Sequence, residues 1–173
     1  MAVIEVKNFQ KAFGGRIIHK NVSFDVKKGE CLGLVGGSGM GKSVILRSLI
    51  GLEKPDSGEI WIEGEEIAGR REKDLVEIRK KVSYVFQNGA LFDSMSVYNN
   101  LAYPLREHTN MSEAEIKDRI QDTLAEFGLA GSEQKSPAQL SGGMQKRVGM
   151  ARAIIMGPRV VLYDEPTAGL DPF

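Results

Sequence analysis

Cysteine occurs once in the 173 residues, at Cys31. A single thiol builds no internal disulfide, which fits a reducing compartment. Neither sign of charge dominates, since 23 Lys and Arg stand against 23 Asp and Glu. No field of one sign covers the molecule, so bulk attraction to nucleic acid or to an anionic lipid surface is not expected. Long apolar runs are missing as well; the longest extend over a few residues, against the ~20 that a membrane helix needs. The N-terminus MAVIEVKNFQ alternates apolar and charged residues and lacks the basic-then-apolar layout of a signal peptide. No repeat or low-complexity stretch interrupts the chain. The expectation is a soluble chain with one domain's worth of core and no direct membrane insertion. Any link to a membrane would pass through a partner.

What is present reads first as strands. Val3 to Val6 and Val22 to Val26 alternate with period two, and Gly14-Gly15 between them marks a turn. Glu30 to Val35 is mostly apolar and predicts a buried strand of a parallel sheet, with Cys31 as a small core residue. A helix is expected from about Lys42 to Ile50, a turn at Pro55 to Gly58, and strands at Glu59–Glu63 and Val82–Phe86. Farther on, Ser112-Glu113-Ala114-Glu115 is a capping-box signature; Ile116, Ile120, Leu124 and Phe127 follow at helical spacing and Gly128 ends the run. A second helix is expected from about Gly142 to Met156, and a last strand at Val160–Tyr163. This order predicts an α/β layered fold with a mainly helical insert over approximately 88–157.

Residues 36–43 read GGSGMGKS, which fits G-x-x-x-x-G-K-[ST] through Gly36, Gly41, Lys42 and Ser43. Glycines let the backbone curl so that successive N–H groups face phosphate oxygens. The helix beginning at Lys42 adds the positive end of its dipole. Lys42 would reach the outer phosphates, and Ser43 would offer its hydroxyl to magnesium. The expected ligand is ATP with Mg2+.

An apolar strand ending in Asp164-Glu165 is the partner such a loop needs. Asp164 would hold the metal, leaving Glu165 to polarise a water as general base. A second glycine motif, LSGGM at 140–144, sets Ser141 as N-cap before Gly142 and Gly143, and a capped helix start with glycines is a second anion surface. Two such surfaces far apart in one chain are economically explained if they face each other across a homodimer.

GGSGMGKS, VSYVFQ, LSGGM, VVLYDEP and AGLD occur in the order of the ATP-binding-cassette (ABC) ATPases, and the chain resembles that family over nearly its whole length. The resemblance implies a P-loop NTPase fold: an ABC-type nucleotide-binding domain with an antiparallel β subdomain and a helical insert. It implies composite ATP sites in a head-to-tail dimer. Nucleotide-binding positions are then Phe13 (stacking on adenine), Gly36, Gly37, Ser38, Gly39, Met40, Gly41, Lys42, Ser43, Val44, Gln87, Ser141, Gly142 and Gly143. Metal positions are Ser43, Gln87 and Asp164, and Asp171 resembles the aspartate that contacts the opposite subunit. The stretches GGSGMGKSVILRSLIGLE, FQNGALFDSMSVYNNLAYPLREHT and LSGGMQKRVGMARA are similar to the ATPase subunits of bacterial lipid-asymmetry (Mla/Mce-type) transporters. That implies a transmembrane permease docking around Gln87 to Leu101, with Met95, Val97, Tyr98 and Leu101 either as an apolar contact face or as ordinary core of the helical insert. The expected location is the cytoplasm, peripheral on the inner membrane through the permease.

Members of that family continue past the last motif with further strands and a switch histidine. The two histidines here, His19 and His108, both precede the acid pair. The expectation is a chain incomplete at its C-terminus, better at binding nucleotide than at hydrolysing it. Three alternatives stay open: a cassette ATPase for another cargo, a catalytically silent nucleotide-binding fragment, and a non-transport cassette ATPase.

Overall fold

The computed structural model describes residues 2–86 and 89–164. They fall into two compact units, Met1–Val82 and Ser83–Phe173.

In the first unit, β1 (Ala2–Phe13) and β2 (Arg16–Lys27) form an antiparallel hairpin about Gly14-Gly15. Helix α1 (Lys42–Ser48), β3 (Ser57–Ile62), β4 (Glu65–Glu66) and α2 (Val76–Lys81) follow. The sheet order is β2-β1-β3-β4, antiparallel throughout. Ile4 pairs with Ile62 and Val6 with Ile60 across the β1–β3 ladder, and all four are buried. Period-two alternation therefore gathers these four on one apolar face; Ile45, Leu49, Leu75 and Ile78 of the same unit are buried too. Lys11 is a buried cation in β1; its ammonium donates to the Lys54 carbonyl and pairs with Glu53 at 2.8 Å. The Glu53 hydrogen bond, joined by the Asp56 charge, outweighs desolvation and raises its pKa.

The second unit holds β5 (Val82–Val85, opening on the last residue of the first unit), α3 (Val97–His108), α4 (Glu113–Glu126), α5 (Gly142–Ile154) and β6 (Val160–Tyr163). Strands β5 and β6 pair as a second sheet. Ser112 caps α4 in a full capping box with Glu115. Val97, Leu101 and Leu105 of α3, Ile116, Ile120 and Leu124 of α4, and Val148 and Ala151 of α5 build one apolar core.

Several expectations are corrected. Glu30–Val35 forms no strand. Glu30 instead closes a turn at the end of β2: its carboxylate accepts from Lys27 N–H while its own N–H donates to the Lys27 carbonyl. Among the described residues of this unit the sheet ends at β2 and β4, so this segment gains no ladder to cover it. Val35 is 99% exposed, and Cys31, expected in the core, is exposed. Ser57 and Gly58, expected in a turn, open β3. Val97 and Leu101, candidates for a contact face, are fully buried in the helical core; Tyr98 packs partly buried against that core.

Candidate nucleotide site

The phosphate loop lies in the first unit. Gly36, Gly37, Ser38, Gly39 and Met40 are exposed, and Gly41, Lys42, Ser43 and Val44 are half-buried where α1 begins. Gly41 is the N-cap of α1 and is left-handed, with φ 87° and ψ 13°, a conformation that glycine adopts without steric penalty. Its carbonyl starts the helix, accepting from Val44 N–H at 2.9 Å and Ile45 N–H at 3.3 Å. Lys42 Nζ donates to the carbonyls of Gly36 (2.8 Å) and Gly37 (3.0 Å), tying the end of the loop to its beginning. The chain thus curls as an anion nest requires.

Phe13 ends β1 with its ring 45% exposed. The Lys11 ammonium lies 4.9 Å from the ring centroid, so the ring already carries a cation–π partner.

In the second unit, Asp164 stands directly after β6. Its N–H donates to the Val85 carbonyl at 3.1 Å, and Tyr84 Oη donates to its Oδ2 at 2.7 Å. Both contacts come from β5, the strand paired with β6, so the carboxylate is held from backbone and side chain together. An aspartate carboxylate is a hard oxygen donor of the kind Mg2+ prefers, and so, in the first unit, is the Ser43 hydroxyl.

Ser141 caps α5, accepting from Met144 N–H at 3.3 Å. A Cβ built on Gly142 or Gly143 would meet nothing within 4 Å among the described residues. Packing among those residues therefore does not require glycine at either position. Glu165, Gln87 and Asp171 lie outside the described residues.

The family pattern described as "ABC transporter" matches residues 19–168, across the loop, the capped helix and the acid strand. The chain belongs to the ABC transporter family.

This ABC chain is 50% identical over 169 residues to the "Probable ribonucleotide transport ATP-binding protein mkl" of Mycobacterium leprae, covering 98% of this chain and 49% of that protein. It is 42% identical over 173 residues to the "Methionine import ATP-binding protein MetN" of Carboxydothermus hydrogenoformans, covering 98% and 51%. It is 40% identical over 170 residues to the "Intermembrane phospholipid transport system ATP-binding protein MlaF" of Haemophilus influenzae, covering 98% and 64%. Among solved structures, it superposes with a TM-score of 0.88 on the dimeric post-hydrolysis form of the ATP-binding cassette MJ0796 bound to ADP and Pi; identity is 34%, over 98% of this chain and 76% of that one. The chain spans about half the length of the mycobacterial relative.

Three contacts, each within one unit, were not visible in the sequence. One is Tyr84 on Asp164. Another is His19, whose Nε2 stands 2.9 Å from the Gly41 carbonyl oxygen. The third is Arg152 of α5, which donates to the carbonyls of Gly89 (3.2 Å) and Ala90 (2.8 Å) and to Asn100 Oδ1 (3.3 Å). Burial pushes the Arg152 guanidinium pKa down, and the Phe92 ring lies 5.2 Å from its centre. Asn100, itself buried, accepts from Phe92 N–H and donates to the Phe92, Met95 and Ser96 carbonyls. The segment from Gly89 to Ser96 is thereby strapped to α3 and α5. The His19–Gly41, Tyr84–Asp164 and Arg152–Ala90 partnerships join residues 22, 80 and 62 positions apart.

Proposed function

We propose that this chain is the ATP-binding and ATP-hydrolysing part of a membrane transporter, acting as a homodimer with composite sites. The observation that carries the reading is the phosphate loop: a left-handed Gly41 leading into α1, with Lys42 folded onto the carbonyls of Gly36 and Gly37. In this reading Gly36 to Val44 hold the phosphates, Phe13 stacks on the base, and Ser43, Gln87 and Asp164 hold Mg2+. The ion supplies positive charge against the terminal phosphates. Glu165 takes the proton of the attacking water. Ser141, Gly142 and Gly143 face the nucleotide of the second copy, a reading supported by the open space beside the two glycines. The helical subdomain spans approximately 88–157 within an ABC ATPase domain of 1–173.

The partner is a transmembrane permease, received around Gln87 to Leu101. With Val97 and Leu101 in the core, the apolar surface offered there is Phe92 and Tyr103, two exposed rings packed edge to face at 5.5 Å. No helix of the described residues is long and apolar enough to cross a membrane; the attachment proposed is peripheral, on the cytoplasmic side, through that permease.

For cargo we favour phospholipids or related lipids of the bacterial envelope, supported by the likeness to MlaF and by the lipid-transporter resemblance of Phe86 to Thr109. A different cargo is the second reading, favoured by the names of mkl and MetN. ATP binding and steady-state phosphate release with magnesium, on the parent and on Glu165→Gln and Lys42→Ala, test the motor. We expect release by the parent only, with Lys42→Ala weakening ATP binding about tenfold or more because charge-assisted bonds are lost. Parent protein that binds no ATP would sink the reading. Co-purified permease whose phosphate release rises with added phospholipid, and not with methionine or ribonucleotide, tests the cargo.

A further inference from the structure

His19 lies in β2, outside every motif that the nucleotide reading uses. Its ring packs on the fully buried Phe9, centroids 5.7 Å apart, and its Nε2 stands 2.9 Å from the carbonyl oxygen of Gly41. The backbone there is pressed against β2: a Cβ on Gly41 would sit 2.4 Å from Ile18 Cγ2 and 2.5 Å from His19 Nε2. The contact is therefore close on both sides and leaves no room for a side chain between β2 and the last loop residue.

The Gly41 carbonyl shares one planar peptide unit with the Lys42 N–H, and in a trans peptide the two point in opposite directions. Fixing one fixes the other, and the carbonyl is held by His19 together with the Val44 and Ile45 amides. We propose that His19 is a positioning residue of the phosphate loop: by donating from Nε2–H to the Gly41 carbonyl, it aims the Lys42 amide away from β2 and toward the phosphates of the nucleotide. This rests on the nucleotide-binding reading of the loop. A carbonyl only accepts, so neutral His19 must be the Nε2–H tautomer.

Two measurements test it. Long-range 1H–15N NMR of the folded wild-type chain reads the tautomer directly, whether or not nucleotide binds. Nε2–H is expected, and Nδ1–H overturns the proposal. Calorimetry then compares ADP and ATP affinity for wild type, His19→Gln, His19→Asn and His19→Leu, with melting temperatures alongside. Gln carries a donor nitrogen as far from the backbone as Nε2; Asn falls short, and Leu has none. We expect Gln to stay within about twofold of wild type, and Asn and Leu to lose roughly two- to tenfold in affinity for both nucleotides, the range of one hydrogen bond. Equal affinity for Gln and Leu at equal melting temperature overturns the role. Should Leu fail to fold, the Gln–Asn pair decides it by the same comparison. Wild type that binds neither nucleotide would instead defeat the nucleotide reading itself, with the tautomer measurement still standing as the test of the His19 contact.

Discussion

Gly149 and Gly89 meet backbone to backbone: a Cβ built on Gly149 would lie 2.6 Å from the Gly89 Cα and 2.9 Å from its carbonyl oxygen. Gly149 is in the middle of α5, where intrinsic propensity favours alanine over glycine by about 1 kcal/mol. Packing opposes that preference, because the obstacle is main chain and cannot rotate aside. We expect Gly149→Ala to destabilise the chain by about 1–3 kcal/mol, read from the midpoint of urea unfolding. A stabilised variant would mean that the Gly89 backbone is not held there.

Arg152 holds the same segment by its guanidinium fork. Lysine has a point charge where the fork bridges two adjacent carbonyls and an amide. Arg152→Lys and Arg152→Ala should both destabilise, the alanine variant by about 1.5–3 kcal/mol because the acceptors on buried Gly89 and Asn100 lose a charged donor. Hydrogen exchange should rise in 89–96 more than in α4. Uniform exchange across the unit would argue against a local strap.

Tyr84→Phe deletes the hydroxyl on Asp164 while keeping the ring packed on Phe86 at 4.5 Å. One neutral-to-charged hydrogen bond is lost, worth about 1.5 kcal/mol or more. The expected result is a severalfold weaker magnesium requirement in ATP binding: EDTA should lower ATP affinity less in the variant than in the parent. Identical EDTA effects would detach Tyr84 from the metal site.

Arg106 grips Glu113 with two bonds, Nε to Oε1 at 2.8 Å and Nη2 to Oε2 at 2.7 Å, joining α3 to α4. The Arg106 hydrogen bond, more than its charge, lowers the Glu113 pKa below the ordinary 4.5. A carboxyl whose folded pKa is depressed binds fewer protons folded than unfolded. Its contribution is present above pH ~4.5 and fades as pH falls through the lower folded value. Glu113→Gln should melt slightly below wild type at pH 7, and the difference should shrink as pH falls below the ordinary carboxyl pKa. Both side chains are solvent-accessible, so the difference is expected to be small and to shrink in high salt.

The helical unit was legible where local rules suffice. Ser112 and Glu115 announce their capping box by spacing alone, and Ile116, Ile120 and Leu124 fall on one face of α4. Helix α3 was not delimited, because Asn99, Asn100 and Pro104 dilute its pattern. For the same reason Val97 and Leu101 stayed open between contact face and core, and they are core. In the first unit the hairpin followed from alternation about Gly14-Gly15. Glu30–Val35 read as buried because apolar content signals burial only when a neighbouring strand exists, and pairing is a long-range property. His19 with Gly41, Tyr84 with Asp164 and Arg152 with Ala90 are separated by 22, 80 and 62 positions, so no periodicity connects them.

Lys42 is both gatekeeper and host. Its ammonium already serves two carbonyls, those of Gly36 and Gly37, so a phosphate oxygen arriving at the loop does not add to an idle cation. It competes with two peptide oxygens for the charge of an ammonium that has three donors. The affinity measured for a nucleotide is then the outcome of a contest inside the loop. A substitution at Lys42 removes the rival bonds along with the attractive charge, and its measured effect is a lower bound on what the lysine contributes to holding phosphate.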